Sequence, residues 1–105
     1  MTLFLRNKKN ETILDVVIYK NDGALELSAV VCIEPYSRLL LALDSDMQYE
    51  AMEDFEELQE LRGWLWESWF MGRQNTTDEY NAVLESLRVQ LKAVANKYSL
   101  GYTED

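Results

Sequence analysis

The chain has 105 residues, with apolar residues at 48%, one cysteine, no histidine and a formal charge of −9. That size and apolar share suit one domain with its own core, and we expect a single domain over 1–105. The lack of histidine excludes Ser-His and Cys-His nucleophile arrangements, and a single cysteine excludes an intrachain disulfide.

Thr2–Arg6 reads as a short strand with Leu3 and Leu5 on one face. Asn7–Asn10 is turn material. Thr12–Lys20 is rich in β-branched residues, and Leu14, Val16 and Ile18 alternate against Asp15, Val17 and Tyr19. Asn21-Asp22-Gly23 tolerates positive φ and signals a hairpin. Ala24–Glu34 returns as a third strand, with Leu25, Leu27, Ala29, Val31 and Ile33 on one face, Glu26, Ser28, Val30 and Glu34 on the other, and Cys32 mid-strand. Pro35 ends its ladder. Arg38–Leu43 is expected as a fourth strand, with Leu39, Leu41 and Leu43 inward.

The dominant stretch is Asp46–Gly72, a long amphipathic helix capped by Asp44-Ser45-Asp46. At 100° per residue, Asp46, Glu50, Glu53, Glu57, Glu60, Trp64 and Glu67 share one stripe. Met47, Ala51, Phe55, Leu58, Leu61, Leu65 and Trp69 lie opposite. Gly63 costs about 1 kcal/mol against alanine inside a helix, so a break there is an open alternative. Thr76 and Glu79 form a capping-box signature for a second helix reaching about Ser99. Tyr80, Val83, Leu84, Leu87, Leu91, Val94 and Tyr98 keep helical spacing along it. Gly101 is a stop, and the tail Tyr102–Asp105 is expected to be mobile. The fold class is therefore α+β: a four-stranded antiparallel meander followed by two helices packed on one face of the sheet.

The charge is concentrated. Residues 1–44 carry −1, residues 45–72 carry −7 and residues 73–105 carry −1. No base lies between Asp44 and Arg62. Like charges at i,i+3 and i,i+4 each cost a few tenths of a kcal/mol, so their retention argues for a use of the field. The candidate partner-binding residues are Asp46, Glu50, Glu53, Asp54, Glu57, Glu60, Trp64 and Glu67. An indole among carboxylates has the character of an interface anchor. The field excludes direct nucleic-acid binding and anionic membranes, both of which need lysine and arginine clusters. A basic protein, such as a nuclease or another nucleic-acid enzyme, is the partner it suits.

Chemistry finds little support. Cys32 has no base near it in sequence, and the helical carboxylates share one solvated face with nothing to split their pKa values. Asp44-Ser45-Asp46 with Glu50 opens like a calcium loop but lacks the glycine and later ligands. No enzyme activity, cofactor or metal is expected. The N-terminal residues lack a secretion signal and no segment is long and apolar enough to span a bilayer, so a cytoplasmic protein is expected.

The expected function is a small acidic protein-binding inhibitor that occludes a basic active-site groove. One setting is an immunity protein that neutralises a nuclease toxin. The alternative is a phage-encoded anti-CRISPR or anti-restriction mimic of nucleic acid. A second alternative is a self-associating adaptor, with Met47, Tyr49, Met52 and Phe70 fringing a homodimer seam.

Overall fold

The computed structural model describes residues 1–21, 24–65 and 77–105, with the side chains of 20, 21, 24 and 61–65 set aside. The elements run β1 (Thr2–Arg6), β2 (Thr12–Asn21), β3 (Ala24–Val31), α1 (Ile33–Leu41), α2 (Ser45–Leu65), α3 (Thr77–Lys97) and β4 (Gly101–Glu104). The fold is α+β, with a four-stranded antiparallel sheet ordered β3-β2-β1-β4. Three consecutive strands pair in sequence, and the fourth returns beside the first after three helices, which is Greek-key order.

Period-two patterning places Leu3, Leu5, Leu14, Val16 and Ile18 on one face, where all are buried. Register sets Leu3 against Val16, Leu5 against Leu14, Val16 against Ala29 and Ile18 against Leu27, so one apolar face runs across three strands. The opposite face carries Thr2, Phe4, Asp15, Val17, Ser28 and Val30, none of them buried. β2 and β3 pair as far as Asn21 against Ala24, the register a two-residue hairpin requires. Asp22 and Gly23 lie outside the described residues.

The helices close the apolar face. α2 contributes Ala51, Phe55 and Leu58, α3 contributes Val83, Leu84, Leu87, Leu91, Val94 and Ala95, and Tyr98 follows directly after α3. Phe55 sits at the centre, its ring 5.0 Å from Tyr36 of α1 and 6.4 Å from Tyr98. α1 lies against β2, α2 against β3, and α3 against β1 and β4.

Three expectations are corrected. Arg38–Leu43 does not form a strand: it lies in α1 and the link after it. Cys32 holds the N-cap position of α1 instead of sitting mid-strand, and Ile33 is exposed in the first helical turn instead of continuing the third strand. Pro35 is the third helical residue, where no intrahelical N–H is needed. Arg38-Leu-Leu-Leu-Ala-Leu holds no β-branched residue, and its composition favours helix. The fourth strand comes instead from the C-terminal residues read as mobile. β4 pairs with β1 through Leu3 against Glu104, Phe4 against Thr103, Leu5 against Tyr102 and Arg6 against Gly101.

α2 passes through Gly63 without a break and reaches Leu65. Tertiary burial of the Ala51–Phe55–Leu58 face outweighs the cost of one glycine of about 1 kcal/mol. Of the second half of the expected stretch, residues 66–72 lie outside the described residues, as does Thr76 of the capping box.

Candidate functional site

The helix that carries the carboxylates starts where capping chemistry places it. Asp44 Oδ1 accepts the Met47 N–H at 2.9 Å, and its carbonyl accepts the Gln48 N–H at 2.8 Å. Gln48 Nε2 adds a bond to the Leu43 carbonyl at 3.0 Å. With Ala51, Phe55 and Leu58 turned inward, helical periodicity turns Asp46, Glu50, Glu53, Glu57 and Glu60 outward, and all five are exposed. From Asp46 to Glu60 the row extends about 21 Å at 1.5 Å per residue.

Six of the eight candidate residues can be placed by their side chains, and they divide into two groups. Asp46, Glu53, Glu57 and Glu60 form no ion pair with any described residue. Glu50 and Asp54, one turn apart, share a cation from α3. Lys97 Nζ lies 2.6 Å from Glu50 Oε1 and 2.8 Å from Asp54 Oδ2. Asp54 also accepts the Tyr98 hydroxyl at 2.5 Å. Asp54 is half-buried and serves as an internal tie between α2 and α3. The Trp64 side chain is outside the described set, and Glu67 lies outside the described residues.

Local charge spacing missed two features. Lys97 stands 43 positions from Asp54, so no helical count reveals the match. The shoulder of the row toward α1 carries Tyr49, 73% exposed, and Met52, 49% exposed. Glu56 is exposed on that side as well. The Tyr36 hydroxyl is harder to ionise than usual, chiefly through burial and then through the Glu56 charge. Tyr49 thus places an exposed ring beside carboxylates that pair with no described residue.

Burial pushes the Asp54 carboxyl up, but the Lys97 ammonium and Tyr98 hydroxyl outweigh it and hold it below the usual range. Lys97 is held protonated above its ordinary range by Asp54 and then Glu50. A carboxyl lowered in the folded state stabilises fully above its unfolded pKa, and that contribution is lost as pH falls through the folded value. We therefore expect the stability difference between wild type and Lys97→Met to be full at neutral pH and to close on acidification below about pH 4. Urea melts of both proteins across pH check this. A gap that persists in acid removes the Asp54–Lys97 pair as its source.

Among the described residues no group of three or more Cys, Asp or Glu side chains is arranged to hold a metal. Cys32 is half-buried and unbonded to another thiol. No helix of the described residues is long and apolar enough to cross a membrane. The chain matches no family model, no curated protein and no solved structure.

Proposed function

We propose that the protein is an inhibitor that docks on a basic protein through the outer face of α2. The observation that carries this reading is the row Asp46, Glu53, Glu57 and Glu60, exposed and free of ion pairs with described residues. Counting every acid from Asp46 to Glu60 gives roughly one charge per 3 Å of helix, near the 3.4 Å per charge of one duplex strand. Lys97 removes one of these, so the mimicry is of spacing more than of full charge. The row enters a groove evolved for phosphates, speeds encounter by long-range attraction, and blocks the substrate. Tyr49 adds a desolvated contact that slows release. A nuclease or another nucleic-acid enzyme is the partner class. An immunity protein against a nuclease toxin is the setting we favour; a phage inhibitor of restriction or CRISPR defence uses the same physics.

The test is reversal of three charges, Glu53→Lys, Glu57→Lys and Glu60→Lys together. These side chains are exposed and pair with no described residue, so the melting temperature is expected to stay the same or rise as like-charge repulsion is relieved. A basic nuclease captured by wild type from a lysate of the native host should be inhibited by wild type. The reversed variant should associate with it about ten- to a thousandfold more slowly at low salt. Equal association rates, or capture of no basic enzyme, overturn the proposal.

A second reading has one observation in its favour. Ile33 and Leu41 of α1, with Tyr49 and Met52 of α2, are large apolar residues left exposed. If they form a self-association seam, mass in solution rises with concentration and the assembly survives high salt. The electrostatic complex weakens under the same salt.

A further inference from the structure

Among the described residues, the turn between β1 and β2 forms a basic corner. Arg6, Lys8 and Lys9 fall within four residues at the β1–β2 turn, and none of them forms an ion pair with a described residue. The turn is held firmly. Asn7 Oδ1 accepts the N–H of Lys9 at 3.0 Å and of Glu11 at 2.9 Å, and Asn10 takes a left-handed φ of 64°. Asn7 Nδ2 donates to Glu11 Oε1 at 2.9 Å, and Arg38 of α1 reaches Glu11 Oε2 at 2.6 Å. The carboxyl of Glu11 is held below its usual range, by Asn7 first and Arg38 second. The turn is thus fastened to α1, and Lys8 and Lys9 project from a fixed platform.

That platform borders a cleft of about 450 Å³ between the turn, α1 and the link from α3 to β4. Lys8, Lys9 and Arg38 lie on it together with Leu39, Leu43 and Leu100. The cleft is open to solvent over much of its extent, so a ligand there is only partly enclosed. Glu11 offsets Arg38, which leaves the two lysines as net positive charge beside an apolar wall. Arg38 has guanidinium N–H groups to spare beyond the bond to Glu11. The last turn of α3 is closed by the Leu100 N–H on the Ala95 carbonyl at 2.8 Å, so that carbonyl is already engaged.

We propose that this cleft binds a small organic anion, a carboxylate or phosphate carried on a short apolar body. Lys8 and Lys9 meet the anionic head, and Leu39, Leu43 and Leu100 take the apolar part. The site stands apart from the carboxylate row of α2 and does not depend on the inhibitor reading.

The experiment is an amide-shift titration of the ¹⁵N-labelled full chain with sodium hexanoate, phenyl phosphate and inorganic phosphate, against sodium chloride at matched ionic strength. Saturable shifts at Lys8, Lys9, Arg38 and Leu100 are expected with hexanoate or phenyl phosphate, at the millimolar affinity that few atoms allow. The Lys8→Ala, Lys9→Ala double variant changes two exposed side chains, so its spectrum should report the same fold. Its binding should be at least about tenfold weaker, the loss that charge-assisted contacts imply. Inorganic phosphate should bind more weakly than phenyl phosphate. Absence of saturable shifts, shifts reproduced by chloride, unchanged binding in the double variant, or equal binding of the two phosphates overturns the proposal.

Discussion

Phe55→Ala is expected to cost about 3–5 kcal/mol, the range for removing a large aromatic from a closed core. Phe55 is 1% exposed and stands where α1, α2 and α3 meet, between the rings of Tyr36 and Tyr98. The loss combines three effects. Apolar transfer energy goes with the ring, a cavity remains, and the tilted contacts to both tyrosines disappear. Small domains hold a total stability of about 5–15 kcal/mol, so one substitution removes a large part of it. Tyr98 also holds Asp54, so displacement of its ring loosens the Lys97 tie from α2 to α3. Phe55→Leu, which keeps more of the volume, should cost distinctly less. Urea unfolding of the three proteins measures both values. A cost for alanine below about 1 kcal/mol contradicts the central position assigned to this ring. The same substitution should weaken partner binding only as far as it unfolds the chain, because Phe55 faces away from the carboxylate row.

The elements that could be read from the sequence are those whose pattern is local and long. β1, β2 and β3 declare themselves by alternation, and α2 and α3 by apolar spacing sustained over many turns. Leu39, Leu40 and Leu41 satisfy both periods at once, which is why α1 resembled a strand. The composition around them held the correct signal, since leucine, alanine and arginine are helix formers and β-branched residues are missing there. Exposure of Asp46, Glu53, Glu57 and Glu60 was legible for the same reason as the helix: fixing the buried face fixes the outer one. The engagement of Asp54 was not legible. It depends on where the last turn of α3 comes to rest, and that is set by packing of Leu87, Leu91 and Val94 on the sheet. The lysine cleft was illegible too, since it joins three segments remote in sequence. Its parts read separately as an ordinary turn, a leucine run and a helix end.

The C-terminal strand supports the second large prediction. Deletion of Gly101–Asp105 is expected to destabilise the fold by about 2–4 kcal/mol, from lost strand pairing and newly wetted apolar area. β1 would become an edge, although Leu3 and Leu5 are now fully buried. Leu5 stands opposite Tyr102, which packs on the core margin beneath Lys92, the ammonium 5.4 Å from its ring centre. Glu104 lies opposite Leu3 and pairs with Arg88 of α3, and it accepts the Tyr102 hydroxyl at 2.5 Å. Its carboxyl is held below the usual range, by Arg88 first and Tyr102 second. The Asp105 N–H closes on the Thr2 carbonyl at 2.9 Å. Five residues therefore join the sheet to α3 in a way a mobile tail could not. Without Glu104 and Asp105 the shortened chain still carries −7, and repulsion between such chains limits aggregation at low salt, so the uncovered edge should self-associate mainly as salt is raised. Urea midpoints and light scattering of the shortened chain over a salt series measure the two effects. A midpoint equal to that of the full chain would mean that β4 contributes no stability to β1, and that Leu3 and Leu5 are covered without it.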